Sequence, residues 1–404
     1  MPARRTDLEH IVRTLESWER GSASEGERRS AEWIAAHMRE MGLQPKIEEE
    51  PAHGGYWWPL GIFTGAAAVA GLLGRRVLGT LIGAIASFGI WDELGLWREW
   101  TRKLLPKRTT WNVYAVAGDP DAERTVAIVT HHDAAHTGQA FDFRLVRWYG
   151  RTFPDLLEKG RKWPGLMWSV IAGPVLVGVG SLLGLEKVRR AGAVASGLSA
   201  LSFADIGRSP VVPGANDNLS AVAAMLEAGR SLVEDPVEGV RVLLVATGSE
   251  ESFEEGMTGF VKTHAHELPK DRTDFIVLDT VGSPRLILLE GEGMLVARPY
   301  DERLKDDIAG AAEEIGVPII REHWLSFGSD SLVALRKGYR TATIASFDEF
   351  KLPTNYHQMT DLADNLDWDT VEAAANVTEA AVRRIARSAA PPRASSPPPR
   401  TAPR

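Results

Sequence analysis

Five short stretches of this sequence hold the residue types that metal-dependent hydrolysis requires. His131-His132-Asp133 follows the apolar run TVAIVT, and Asp217 sits in Gly214-Ala215-Asn216-Asp217-Asn218. Glu250-Glu251 follows VRVLLVAT, Asp279 ends DFIVLD, and His357 lies in Asn355-Tyr356-His357. An imidazole can bind a metal while a carboxylate two residues on orients its ring. A carboxylate such as Asp217 can bridge two cations. Paired carboxylates at a buried strand end repel each other and are costly without a cation. One of such a pair can hold metal while the other takes a proton from water. Each piece alone has a plainer reading: a polar strand end, a helix N-cap by Asp217 or Asn218, a solvated acidic loop that includes Glu254 and Glu255, a turn former, a lone structural histidine. Taken in order they supply two imidazoles and three carboxylates and leave one glutamate free. The 404 residues include no cysteine, which removes disulfides, thiolate ligands and cysteine nucleophiles. What remains is a donor set of N and O atoms suited to a two-zinc hydrolytic site.

Such ligands need strands to present them. Residues 111–117 and 125–130 read as buried strands around a Gly118-Asp119-Pro120 turn, with further strands near 240–247, 275–279 and 341–346. Helices are expected at 6–20, 24–42, 219–233, 255–266, 301–315 and 330–337, with Ser24 and Glu27 as a capping box. Strands alternating with helices imply an α/β fold, a mixed central sheet flanked by helices on both faces. In such sheets ligands gather beyond the carboxyl ends of the strands, where His131, Glu250 and Asp279 fall.

At these residues the sequence resembles the co-catalytic two-zinc exopeptidases of metallopeptidase family twenty-eight. The motifs are THHDAAHTG, GANDNLSAVAAMLE, TGSEES, VLDTVG, GSDSLVALRKGY and NYHQMTD, and the resemblance covers roughly 1–50, 109–140 and 210–388. It implies that His131 binds one zinc with Asp133 behind it as orienter. Asp217 would bridge both zincs, Asp279 would complete the first site, and Glu251 and His357 would complete the second. Glu250 would be the general base. The pair 250/251 is preferred over 254/255 because it stands directly at the strand end.

Two connections are longer than that fold needs, Glu50 to Trp111 and His131 to Asp217. Both are filled by uncharged runs: Gly54–Gly74 and Val77–Trp91 in the first, Trp163–Leu185 and Ala191–Ala204 in the second. They read as two apolar helical hairpins, over 54–105 and 141–205, inserted into a discontinuous catalytic domain of 1–50, 106–140 and 206–388. Residues 389–404 are expected to be a disordered tail. A membrane span takes about 20 apolar residues, so the longer run of each hairpin qualifies, and the shorter limbs are expected to be tilted or partly inserted. Gly61-x3-Gly65 and Gly79-x3-Gly83 offer close helix contacts, and Trp57, Trp58, Trp91, Trp163 and Trp168 lie near run ends as interfacial belts do. The soluble alternative is a hairpin that dimerises or roofs the site. Basic residues such as Arg98, Arg102, Lys103, Arg144, Arg147 and Arg151 flank the catalytic side of both insertions and outnumber those in the turns. The expectation is membrane association through 54–91 and 163–204 with the catalytic domain cytoplasmic; the alternative is a soluble cytoplasmic protein.

The net charge of −8 leaves no electrostatic footprint for nucleic acid. Met1–Glu50 is charged throughout and carries no apolar h-region, so no cleaved signal peptide is expected. There is no G-x-S-x-G elbow, and Gly178-Val179-Gly180-Ser181 lies inside an apolar run without completing a dinucleotide motif. The expectation is a zinc-dependent aminopeptidase acting on peptides. A carboxypeptidase or acyl-amino-acid deacylase with the same site, and a membrane scaffold without turnover, are the alternatives. Residue preference and oligomeric state are not legible.

Overall fold

The computed structural model describes residues 2–155, 165, 167–321 and 323–389. The tail expected at 389–404 lies outside them apart from residue 389, as does Trp163.

Seven strands form one mixed sheet: β1 Lys46–Ala52, β2 Arg108–Gly118, β3 Thr125–His131, β4 Arg241–Thr247, β5 Thr273–Leu278, β6 Arg285–Leu288 and β10 Arg340–Phe347. Their order is β1-β2-β4-β3-β5-β10-β6. The four inner strands β4, β3, β5 and β10 run parallel, and antiparallel strands close both sides. Three short strands, β7 Gly291–Glu292, β8 Arg298–Pro299 and β9 Trp324–Leu325, make a second small sheet.

Side chains alternate across the strands, so the inner ones feed two cores. Val126 and Ile128 of β3 join a core with helices α1 Arg5–Glu16, α2 Glu25–Glu40, α8 Ser220–Glu234, α10 Glu302–Glu314 and α12 Trp368–Ala389. Ala127 and Val129 face the other way, toward α9 Glu255–His264 and α11 Asp330–Lys337. Strand β1 was not expected from sequence. Its KIEEEPA is charged because it is an edge strand whose side chains are largely solvated. The helix expected over 6–20 ends at Glu16. The chain turns there so that buried Arg20 can donate to the carbonyls of Leu15, Trp18, His132 and Pro213.

The two apolar insertions are helical hairpins, α3 Trp57–Leu73 with α4 Arg76–Leu94, and α6 Met167–Leu183 with α7 Glu186–Ile206. They pack together as one four-helix bundle, in which α3 meets α7 and α4 meets α6. The limbs expected to be short are the longer ones, 19 and 21 residues against 17. Their helices continue past the uncharged runs, through Arg76 and Asp92-Glu93 in α4 and through Glu186–Arg190 in α7. Small residues set the contacts: a Cβ on Gly83 would lie 2.5 Å from the Gly178 nitrogen, and one on Gly71 would lie 2.7 Å from Ala193 Cβ. Each hairpin turns on a left-handed glycine, Gly74 and Gly184, both at φ 70°. Arginines beyond those turns cap the opposite hairpin. Arg76 donates to the carbonyls of Ser181 and Leu182, and Arg189 to that of Gly71. These carbonyls lie in last turns, where a cation also complements the helix dipole.

Candidate metal centre

Every inner strand leads toward one end of the sheet. His131 is the last residue of β3, Asp279 follows β5, and Glu250 and Glu251 form a turn after β4. Asp217 comes from the segment before α8, and His357 from the loop after β10. His131, Asp217 and His357 are buried, Glu250 and Glu251 nearly so, and Asp279 is half-buried.

The ligand atoms converge. Asp217 stands between the histidines, with Oδ1 3.3 Å from His131 Nε2 and Oδ2 3.2 Å from His357 Nε2. His357 Nε2 is also 3.3 Å from Glu251 Oε2, and Glu250 Oε2 is 3.8 Å from His131 Nε2. His131, Asp217 and Asp279 form one group of ligand atoms within 4.8 Å of each other, and Asp217, Glu251 and His357 form another. His131, Glu250 and Glu251 form a third. Two ligands of a tetrahedral ion with bonds of about 2.05 Å lie about 3.3 Å apart, which is the spacing seen across Asp217.

Hydrogen bonding tests whether a cation fits. Among the described residues, buried His357 Nε2 and Glu251 Oε1 find no hydrogen-bond partner, although His357 Nε2 has carboxylate oxygens close by. Lone pairs that approach without a shared proton suit a common cation. The charges agree, since four carboxylates face two imidazoles. Burial raises the Asp279 carboxyl to about 7, with Asp217 adding to the shift. Burial also pushes Glu250 well above the usual carboxylate range; Glu251 and Glu254 add to this and His131 opposes it. Burial would lower both histidines, but the surrounding carboxylates outweigh it. Glu250 and Asp133 lead at His131, which is raised well above its ordinary value; Glu251 and Asp217 lead at His357, which reaches about 10. Negative charge in excess at a dry site is the condition a bound cation relieves.

The supporting shell is dense. Asp133 Oδ1 is 3.3 Å from His131 Nδ1 and accepts from the Glu250 N–H at 3.0 Å. Its Oδ2 accepts from Ser22 Oγ at 2.6 Å and from the Glu251 N–H at 3.2 Å. One carboxylate thus fixes both a ligand ring and the Glu250-Glu251 turn. That turn is bounded by Ser249, Phe253 and Glu254, all at positive φ. Such backbone persists only where its surroundings over-determine it. Glu27 does so on one side, accepting from Ser249 N–H and Oγ as well as from Ala23 N–H, Thr110 Oγ1 and Trp111 N–H. The Ser24–Glu27 cap is present, with Ser24 Oγ accepting from Glu27 N–H, and the Glu27 carboxylate serves both the helix end, at Ala23 N–H, and the site. Arg102 holds the other side, donating to the Ser252 carbonyl at 2.7 Å while paired with Glu93 at 2.7 Å. Asp361 accepts from the Asn216 and Asp217 N–H groups at 2.7 and 3.1 Å. Asn218 does not cap α8; its amide bonds Thr130 and Leu278 across the strand ends.

Glu254 and Glu255 are not a solvated loop. Both are buried and turned away from the histidines, Glu255 onto His53 and Arg102. His132 bonds the Trp111 carbonyl rather than the ligand group. Sequence reasoning singled out neither Glu27 nor Arg20 as supports; their signals were a capping-box glutamate and an arginine beside Gly21.

Above these residues lies a cavity of about 490 Å³, reached by His131, Asp217, Glu250, Glu251 and Asp279. Its remaining lining is largely apolar, including Phe143, Val146, Trp324, Phe327, Phe347 and Leu352.

Comparison with known proteins agrees with this geometry. The model of peptidase family M28 matches residues 201–382. No curated relative matches the sequence. Among solved structures, the LapA aminopeptidase of Legionella pneumophila is 11% identical with a TM-score of 0.55, over 95% of this chain and 70% of that one. A glutaminyl cyclase of Bacteroides thetaiotaomicron gives 12% and 0.59, over 95% and 98%. BSAP, a zinc aminopeptidase from Bacillus subtilis, gives 15% and 0.54, over 94% and 95%. At such identities the likeness is one of fold. The family match falls on the second half of the chain, which carries Asp217, Glu250, Glu251, Asp279 and His357; there the chain is similar to the peptidases of family M28, and its fold carries a four-helix bundle besides.

Proposed function

We propose that this chain is a two-zinc aminopeptidase held at a membrane by its helical bundle. The observation that carries the reading is the shared position of Asp217 between two ligand groups, with Glu250 left beside them. His131, Asp217 and Asp279 would hold one zinc, and Asp217, Glu251 and His357 the other. Zinc bound there would polarise the scissile carbonyl and lower the pKa of a water. Glu250 is the residue to take the proton from that water and return it to the leaving amine. Burial among other carboxylates makes it a stronger base than a solvated glutamate. Asp133 keeps Glu250 in place through its backbone N–H and keeps the His131 ring oriented.

The bundle supports the membrane part. Its outer face exposes Ile62, Val69, Leu81, Ile85, Phe88 and Leu198, and large exposed apolar surfaces mark membrane or partner contacts. Among the described helices α4 alone is long and apolar enough to cross a bilayer, by length and composition; α3 and α6 are apolar but shorter. The excess of basic residues at the bundle's foot favours a cytoplasmic catalytic domain. Resistance of that domain to protease added outside intact cells is expected, and cleavage would contradict it.

The test of the activity is hydrolysis of matched dipeptides with free and acetyl-blocked N-termini, by detergent-purified chain with zinc or chelator. Zinc-dependent cleavage of the free series alone is expected. Cleavage of the blocked series would replace the reading with a carboxypeptidase or deacylase, and silence on both would favour a scaffold.

A further inference from the structure

The segment that leaves the first hairpin is two-sided. Residues 95–107 join α4 to β2, and two buried acids in the last turn of α4 hold them. Asp92 accepts from the Arg98 and Trp100 N–H groups at 2.9 and 3.2 Å, and Glu93 accepts from Thr101 Oγ1 and the Arg102 guanidinium. Leu96 and Trp100 pack inward, against the apolar cluster at the bundle's foot. Trp97 and Leu104 turn outward and are 60% and 78% exposed. Trp97 has company at this level. Trp58 stands at the start of α3, Trp91 near the end of α4 and Trp168 at the start of α6; all three are exposed, and the last two rings lie 6.3 Å apart. The hairpin tips around Gly74 and Gly184 carry no tryptophan. Exposed tryptophans gathered at one end of an apolar bundle mark the level of a membrane–water boundary.

Charge gathers just beyond that level. Five of residues 98–108 are basic and one is acidic, in a chain of net charge −8. Arg102 is buried against Glu93, and the Arg98 guanidinium lies 5.7 Å from the Trp97 ring centroid. Lys103, Lys107 and Arg108 are exposed and, among the described residues, make no ion pair. Lys103 stands beside Leu104, and the Arg108 side chain lies against Gly54, just before α3. Cations elsewhere in the insertions are engaged within the fold. Arg76 and Arg189 cap carbonyls at the tips, and Arg190 pairs with Glu186. In helix α5, Arg144–Thr152, Arg144 pairs with Asp142, Arg147 faces Asp348 and Arg151 lies over the Phe350 ring. Basic side chains left unpaired next to an apolar span are suited to the phosphates of anionic lipids.

We propose that Lys103, Lys107 and Arg108, with Trp97 and Leu104 dipping into the bilayer beside them, form a docking surface for anionic phospholipid headgroups that holds the catalytic core against the membrane face. The proposal rests on the membrane reading of the bundle and adds the lipid class and the residues that receive it. Each cation at an anionic bilayer surface is worth about fivefold in binding. Because these three are exposed, the gain fades in molar salt, where charges are screened within about 3 Å.

The test uses the full chain reconstituted in vesicles that mix phosphatidylcholine and phosphatidylglycerol, with bromine on the acyl chains of one lipid or the other to quench tryptophan fluorescence. In the parent, brominated phosphatidylglycerol should quench more strongly, as a several-fold excess of that lipid around the chain. The triple variant Lys103→Gln, Lys107→Gln, Arg108→Gln should abolish the excess, and molar potassium chloride should do the same to the parent. Trp97→Phe should reduce it, because the nearest reporter is gone. The tip variant Arg75→Gln, Lys187→Gln should leave it unchanged. Circular dichroism should show all variants with the parent's helical content. Equal quenching by the two lipids in the parent, or an excess that survives the triple variant, would overturn the proposal while the membrane reading stands. Quenching by neither lipid would place the chain outside the bilayer, and sedimentation with phosphatidylglycerol vesicles then decides. Binding weakened by the triple variant would keep the headgroup surface and reject the spanning bundle; no binding would reject both.

Discussion

Asp133 is where the fold and the chemistry meet, and replacing it with Asn gives the most informative perturbation. The carboxylate serves four groups: the His131 ring, the Glu250 and Glu251 N–H groups and the Ser22 hydroxyl. The two backbone donors approach different oxygens. An asparagine keeps the shape but offers one acceptor oxygen and one NH2, so in either orientation one backbone N–H faces another donor. Each buried donor left unpaired costs about 1–3 kcal/mol. The Asp133→Asn protein should therefore unfold in urea with about 2 kcal/mol less stability. The Glu250-Glu251 turn sits at positive φ on both sides, so loosening it moves ligand and base together. Losses on the order of 10–100-fold in zinc affinity and in kcat/KM are expected. Ser22→Ala removes only the hydroxyl donor and should cost less than threefold, about 0.5 kcal/mol. Zinc titration, dipeptide kinetics and urea unfolding of both variants decide the matter. An Asp133→Asn enzyme within twofold of the parent in affinity and rate would refute the claim that this carboxylate sets the turn.

Four further outcomes follow from the same contacts. Arg102→Met strands the buried Glu93 and Glu255 carboxylates and frees the Ser252 carbonyl; equilibrium unfolding should show a loss of about 3–5 kcal/mol. Glu255 is lowered to about 2: burial opposes this, but His53 and Arg102 outweigh it. Its contribution is present above the unfolded value near 4.5 and is lost as pH falls from there toward 2. Urea titrations should therefore show Glu255→Gln with a shallower acid limb, the difference being about 3 kcal/mol. Gly83→Val drives a side chain against the Gly178 backbone, so the detergent-solubilised bundle should lose helical content at a lower temperature by circular dichroism. Chelation should lower the Tm of the parent chain and zinc should restore it, because the carboxylates around Asp217 then face each other without a cation; an unchanged Tm would argue against metal at this site.

Much of the site was legible because its residues are short-range punctuation of strong local patterns. His131, Glu250 and Asp279 follow apolar β-branched runs, and a parallel sheet brings such strand ends together whatever lies between them. The burial of β3 on both faces was legible from its uninterrupted apolar run. What was not legible depends on long-range geometry. Edge strand β1 reads as a charged linker because solvent, not the core, dictates its side chains. Arg20 lies outside the helix because its guanidinium joins the carbonyls of Leu15 and Trp18 to those of the distant His132 and Pro213. Glu27 reads as half of a capping box, and nothing local says that its carboxylate supports a turn more than two hundred residues away. The insertions were visible as uncharged runs, but not their joining into one bundle, nor the exchange of Arg76 and Arg189 across the two tips. The pocket wall was hidden most deeply, since the helix Arg144–Thr152 belongs to an insertion and reaches the cavity only through the path its ends must follow.

The central claim is a two-metal site in which Glu250 moves the proton and does not hold the metal. Its direct test is Glu250→Gln, purified with zinc and measured in parallel for bound metal and for dipeptide hydrolysis. The variant should keep the parent's zinc content, two ions per chain, while kcat falls on the order of 10²–10⁴-fold. Full turnover by Glu250→Gln, or loss of activity that simply tracks loss of zinc, would contradict it.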